Sequence, residues 1–195
     1  MSAATRAPGT VLVTGANSGL GLAIAVELAR RGHHVVGTTR SEEKADALRA
    51  AAAEAGVEVD TSLLEVAYAG RCAEVVDAVR PRVVVNNAGY ALTGPIETEP
   101  GFFATATFDE LEADERRFGD DRHREAFRRT CQGLERARPL MGDPRDVART
   151  VARAVEISRP RPRYLVGIDA QVLDATRLLT PTAINDRLQR MVTGL

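Results

Sequence analysis

Apolar and polar residues alternate along the chain in two distinct patterns. Thr10-Val11-Leu12-Val13-Thr14 is a short apolar run ended by Gly15, which predicts a strand buried on both faces. Gly19 to Arg31 follows, with Leu20, Ile24 and Leu28 at helical spacing and Gly32 as its stop. The alternation then repeats. His33 to Thr39 predicts a second strand. Ser41 to Ala55 predicts a helix, with Ser41 as N-cap and Gly56 just past its end. Val57 to Leu64 reads as a third strand and Cys72 to Arg80 as a helix halted before Pro81. Arg82 to Asn86 reads as a fourth strand around Val83-Val84-Val85. Strands separated by helices imply βαβ units and a parallel sheet, hence an α/β fold.

The second half is patterned differently. Glu97 to Arg117 shows no clean period, and Asp120 to Arg138 predicts an arginine-rich helix. Arg116 to Arg138 holds eight arginines against four acids, a balance that suits a solvated, internally paired helix better than a partner surface. Asp143-Pro144-Arg145-Asp146 predicts a helix start: an acidic N-cap, proline at the first helical position and an acid in the first turn. Val147, Val151, Ala154 and Val155 form its apolar stripe. Arg163 to Ile168 predicts a fifth strand, and Thr180-Pro181 opens a last helix carrying Ile184, Leu188 and Met191 on one face.

Composition narrows the function classes. The 195 residues carry 26 basic and 27 acidic side chains, a net charge of −1, which argues against broad nucleic-acid binding. No apolar run reaches the roughly 18 residues that crossing a membrane requires. The N-terminus has no secretion-signal pattern. Cys72 and Cys131 form neither a disulfide framework nor a metal-ligand spacing, so no metal is expected. These features read as a soluble cytoplasmic protein.

The candidate chemistry lies at strand ends. Thr14-Gly15-Ala16-Asn17-Ser18-Gly19-Leu20-Gly21 joins the first strand to the first helix. Glycines there permit a tight turn and let backbone N–H groups approach a pyrophosphate at the positive end of the helix dipole. The second strand ends in Thr38-Thr39-Arg40-Ser41. An acid at that tip would favour NAD(H); Arg40 instead offers a guanidinium fork to a 2′-phosphate, so NADP(H) is expected over NAD(H). The plainer alternative leaves Arg40 as a solvated strand-end residue. Asn86-Asn87-Ala88-Gly89 follows the fourth strand, where asparagines can tie the strand end to its neighbours. Pro100-Gly101-Phe102-Phe103-Ala104-Thr105 is the third signal.

TGxxxGxG, NNAG and PGxxxT in this order resemble the short-chain dehydrogenase/reductase family. The resemblance implies a Rossmann-like doubly wound parallel sheet in a single nicotinamide-dinucleotide-binding domain over 1–195. Residues 1–97 would form its cofactor-binding half and 99–195 the C-terminal, substrate-side part. It implies that Gly15, Ser18, Gly19 and Leu20 line the pyrophosphate, that Asn17 is a further cofactor-binding residue, and that Arg40 approaches the 2′-phosphate. Asn87, Ala88 and Gly89 would line the adenosine side, Thr105 would meet the nicotinamide carboxamide, and Glu65 would stand near the adenine. It also implies oxidoreductase chemistry on an alcohol/carbonyl pair. Phe102, Phe103 and Phe108 fall where the family places its substrate lid, which suits a small apolar substrate.

The spacing departs from the family. Between NNAG and PG the family carries two more strand–helix units, holding a serine that positions the substrate oxygen and a YxxxK pair that handles its proton. Here only the ten residues Tyr90 to Glu99 separate Gly89 from Pro100. One such unit needs about 30 residues, a shortfall of roughly 60. The sheet is therefore expected to be truncated, with about five strands instead of seven. The tyrosines are Tyr68, Tyr90 and Tyr164, and the residues four further on are Cys72, Gly94 and Ile168. Lys44 is the sole lysine and follows Arg40, not a tyrosine, at that spacing. No catalytic residue is assigned: Tyr90 and Thr93 are weak substitutes, and His33, His34 and His123 read as structural or solvated.

The gap also affects folding. Without the missing strands the fourth strand would present an apolar edge, which invites pairing. Either Arg163 to Ile168 docks beside Val83 to Asn87, or a homo-oligomer covers the edge. Three functional readings follow: an oxidoreductase homologue whose activity is weak or lost, a non-catalytic NADP(H)-binding sensor or partner subunit, and a relic without independent function.

Overall fold

The computed structural model describes residues 7–89 and 143–167, with Ala170, Gln171 and Asp174. Two compact units divide the chain: Met1–Ala88 with Gly142–Gly167, and Gly89–Met141 with Ile168–Leu195. Nearly all described residues belong to the first unit.

Its elements are β1 (Thr10–Val13), α1 (Gly19–Arg30), β2 (His34–Thr39), α2 (Glu42–Glu54), β3 (Asp60–Leu63), α3 (Ala69–Val79), β4 (Val83–Val85) and α4 (Pro144–Glu156). The strands form one parallel sheet in the order β3-β2-β1-β4. β1 lies inside, pairing Val11 with both Val35 and Val83. Its Val11, Leu12 and Val13 are at most 1% exposed, as expected for a strand covered on both faces.

The alternation of side chains along β1 and β2 builds two cores. Val11, Val13 and Val35 face Ile24, Ala25 and Leu28 of α1, Leu48 and Ala52 of α2, and Ala148, Ala152 and Val155 of α4. Leu12 and Val36 face the other way, against Leu64, just past β3, and Val75 of α3. Helices thus cover both faces, as the Rossmann-like reading requires. Leu12, Leu28 and Leu48 are essentially fully buried, and each contributes about 1.5–3 kcal/mol by leaving water.

The helix starts follow their capping residues. Ser41 Oγ accepts from Lys44 N at 3.4 Å, and Asp143 Oδ1 accepts from Arg145 N at 2.8 Å with Pro144 in the first turn. An ionic bridge joins α4 to the first half of the unit: Arg31 donates to Glu27 at 2.7 Å and to Glu156 at 3.0 Å. Its guanidinium pKa is raised chiefly by the Glu27 hydrogen bond, with Glu156 adding to the effect.

Three expectations shift. The third strand begins at Asp60 rather than Val57, because Val57 N donates to Ala52 O and so stays tied to the end of α2. The third helix begins at Ala69, ahead of Cys72, although Gly70 is a poor helix former. The fifth strand is not formed over residues 163–167, and Ile168 lies outside the described residues. The approach through Pro160 and Pro162 lacks backbone donors, and Tyr164 is drawn into a local turn, its hydroxyl accepting from Arg161 N at 2.9 Å. Among the described residues the sheet therefore has four strands, and β4 forms one of its edges.

Candidate functional site

The C-terminal ends of β1, β2 and β4 meet at the glycine-rich turn. Thr14 N donates to Val85 O at 3.0 Å, and Ala16 N donates to Thr38 O at 3.0 Å. These bonds hold the turn to both neighbouring strands. The Thr14 hydroxyl, in a residue only 5% exposed, accepts from Asn87 N at 3.0 Å and Ala88 N at 2.9 Å and donates to Val85 O at 3.4 Å. Asn87 answers with its side-chain amide, donating to the carbonyls of Thr14 at 3.0 Å and Gly15 at 3.1 Å. The chain leaving β4 is thereby fastened to the chain leaving β1.

Two glycines make this closeness possible. Gly15 has φ +63°, a left-handed conformation, and a Cβ there would lie 3.0 Å from Ala88 Cα. A Cβ on Gly21 would fall 2.2 Å from Gly15 O and 2.5 Å from Asn87 Nδ2. The third glycine, Gly19, also has positive φ (+55°) but faces open space, with nothing within 4 Å of a would-be Cβ.

The mouth of the turn is open. Ser18, Gly19 and Leu20 are exposed, and Ser18 sits at the N-cap of α1 with extended backbone and no side-chain capping bond. Both other described helix starts after an N-cap serine or aspartate use that side chain. The first helical bond of α1 is Leu22 N to Ser18 O. The N–H groups ahead of Leu22 have no intrahelical acceptor and lie at the positive end of the helix dipole. This open, glycine-lined N-terminus fits a pyrophosphate, which needs backbone donors and positive potential with no side chain in the way.

Arg40 lies at the tip of β2. The turn beneath it is held by Thr39 Oγ1 donating to Ser41 O at 3.0 Å, while Leu64 N donates to Thr39 O at 2.8 Å. Arg40 is exposed and, among the described residues, makes no hydrogen bond or ion pair. Glu65, after β3, accepts from Ala67 N at 3.4 Å.

The structure thus gathers Gly15, Asn17, Ser18, Gly19 and Leu20 in one turn. It sets Asn87 and Ala88 directly against that turn, with Gly89 next in the chain, and leaves Arg40 at the adjoining strand end. Thr105, Tyr90, Thr93, Phe102, Phe103, Phe108, His123, Cys131, the arginine-rich segment and the last helix lie outside the described residues. Sequence reasoning passed over Thr14 and Gly21 as working parts; they are the first and last members of the TGxxxGxG pattern. It also passed over Thr38, whose hydroxyl is buried without a hydrogen-bond partner. Among the described residues no His, Cys, Asp and Glu cluster could hold a metal ion, and no helix is long and apolar enough to cross a membrane.

The chain is 40% identical over 97 residues to human retinol dehydrogenase 8, covering 47% of this chain and 31% of that protein. It is 40% identical over 89 residues to the NADPH-dependent pterin aldehyde reductase of Arabidopsis thaliana, covering 41% of this chain and 35% of that one. The chain therefore spans about a third of the length of these curated relatives. Among solved structures, a short-chain alcohol dehydrogenase from Sinorhizobium meliloti 1021 aligns at 32% identity and a TM-score of 0.44, over 49% of this chain and 40% of that one. The family model for short chain dehydrogenase matches residues 9–114, more than half of the sequence. This protein belongs to the short chain dehydrogenase family.

Proposed function

We propose that this protein binds NADP(H) in the turn between β1 and α1 and that its oxidoreductase chemistry on an alcohol/carbonyl pair is weak or lost. The observation that carries the cofactor choice is Arg40: an exposed guanidinium at the β2 tip, without a partner among the described residues and without an acid beside it in Thr38-Thr39-Arg40-Ser41. In this reading Arg40 takes the 2′-phosphate bidentately. Gly15, Asn17, Ser18, Gly19 and Leu20 receive the pyrophosphate, Asn87, Ala88 and Gly89 border the adenosine, and Thr105 meets the carboxamide. Residues 1–97 form the cofactor-binding half of one domain, and 99–195 the substrate-side part. The NADPH dependence named for the Arabidopsis relative supports the same cofactor.

A bound nicotinamide supplies hydride transfer; the chain must supply an acid or base for the substrate oxygen. No tyrosine stands four residues before the sole lysine. Lys44 lies in the first turn of α2, where its backbone N–H donates to the capping Ser41. Loss of a positioned proton donor costs about 10²–10⁴-fold in rate. The names of the relatives, a retinol dehydrogenase and a pterin aldehyde reductase, support a small alcohol or carbonyl as the ancestral substrate class. The retained cradle also suits a second reading, a non-catalytic NADP(H)-binding module.

Calorimetric titration of purified protein with NADPH and NADH, followed by turnover assays on a panel of apolar alcohols and ketones, tests the proposal. Tighter binding of NADPH with little or no turnover is expected. Equal affinity for NADH, or turnover at ordinary enzyme rates, would overturn it.

A further inference from the structure

Positive charge is concentrated in α4 and the loop that follows it. From Asp143 to Leu165 stand six arginines, Arg145, Arg149, Arg153, Arg159, Arg161 and Arg163, against three acids, in a chain whose net charge is −1. All six are exposed. Arg145, Arg149 and Arg153 recur every four residues, so they line one side of α4. The three acids of the segment are already engaged: Asp143 caps α4, Asp146 pairs with Arg149, and Glu156 accepts from Arg31. The side chains of Arg145, Arg153, Arg159 and Arg161 make no hydrogen bond or ion pair among the described residues. Apolar surface adjoins this charge. Tyr164 is 36% and Leu165 41% exposed, directly after Arg159-Pro160-Arg161-Pro162-Arg163. The prolines restrict the backbone of this loop. The Tyr164 hydroxyl, accepting from Arg161 N, keeps the ring in the same turn as the arginines.

We propose that α4 and the loop after it dock on the surface of an anionic lipid bilayer. The arginines are drawn to the negative headgroups, and several weak attractions add up. Tyr164 and Leu165 enter the headgroup boundary, where a tyrosine ring is favoured and an aliphatic side chain leaves water. Contact of this kind lies along the bilayer and needs no spanning helix. A nucleic acid fits the surface less well. Its affinity comes from a wide positive field, which a chain of net charge −1 does not offer, and Leu165 has no hydrogen bond or stacking plane to give a base. A bilayer meets one side of the protein, and salt confines the interaction to charges within about 10 Å of it.

The test is co-sedimentation of the full chain with phosphatidylcholine vesicles, with and without about 30% phosphatidylserine, at low and high salt. Binding to the anionic vesicles alone is expected, and its loss at high salt. Arg159→Glu/Arg161→Glu should weaken it at least about tenfold and Leu165→Asn at least about threefold. Arg159→Lys/Arg161→Lys should stay within about twofold of wild type, because a charged surface reads charge rather than the guanidinium fork. All these sites are exposed, so circular dichroism should match wild type in each variant. No binding, equal binding to neutral vesicles, or indifference to the charge reversal or to Leu165→Asn would overturn the proposal. So would loss of binding in the lysine variant, or tighter binding to single-stranded DNA than to the anionic vesicles.

Discussion

Asn87 and Thr14 stand 73 residues apart in the chain and are joined by two hydrogen bonds, both donated by Asn87: its N to Thr14 Oγ1 and its Nδ2 to Thr14 O, each 3.0 Å long. The glycine-rich turn owes its shape to this clasp as much as to its own glycines. The Thr14 hydroxyl is the shared element, because it also receives Ala88 N. Thr14→Val keeps the volume but removes the acceptor of two backbone donors. A loss of roughly 1–3 kcal/mol in stability is expected from those unmet groups, together with weaker NADPH binding. Thr14→Ser restores the hydroxyl and most of both. Urea unfolding and NADPH titration of the pair check this.

Gly21 and Gly19 separate by experiment. Gly21→Ala drives a methyl into the Gly15 carbonyl, 2.2 Å away, and into the Asn87 amide. It is expected to cost about 1–3 kcal/mol by overpacking and to abolish cofactor binding. Gly19→Ala meets no neighbour and bears only its positive φ of +55°, a cost of about 1–2 kcal/mol. Thermal unfolding of both variants, with and without NADPH, should rank them in that order.

Arg40→Ala removes the group assigned to the 2′-phosphate. A charge-assisted contact is worth about 1.5–3 kcal/mol, so NADPH affinity should fall at least about tenfold while NADH affinity stays unchanged. Because Arg40 is exposed and unpaired among the described residues, the melting temperature should not move. A parallel loss of both cofactors would assign Arg40 to some other part of the site.

The elements themselves were legible in the sequence. Val11-Leu12-Val13 announced a strand covered on both faces, and Asp143-Pro144 announced the start of α4 to the residue. What escaped was pairing. A segment such as Arg163 to Ile168 carries strand character locally, but a strand exists only where an edge accepts it, and one-dimensional pattern says nothing of that. The role of Thr14 escaped for a related reason: its partners Asn87 and Ala88 are remote in sequence. The signature threonine–glycine pair marked the place without revealing that the hydroxyl, rather than the glycine alone, holds the turn together.

Thr38 offers a stabilising change. Its hydroxyl is buried and unpartnered, in a residue 1% exposed. Thr38→Val keeps the shape and relieves the desolvated group, so a gain of about 1 kcal/mol is expected. The midpoint of denaturant unfolding should rise with its slope unchanged.

The clasp between β1 and β4 has a kinetic corollary. Thr14 meets Val85, Asn87 and Ala88 only after some seventy intervening residues have closed a loop, an entropic cost met before any of these bonds can form. Such distant parallel pairings fold slowly. The glycine-rich turn is therefore a late product of folding, absent from any intermediate in which β1, α1 and β2 alone have assembled. Cofactor capture then becomes a clock for completion of the chain: in a refolding experiment the fluorescence of NADPH should change with the last phase and be silent in the earlier ones.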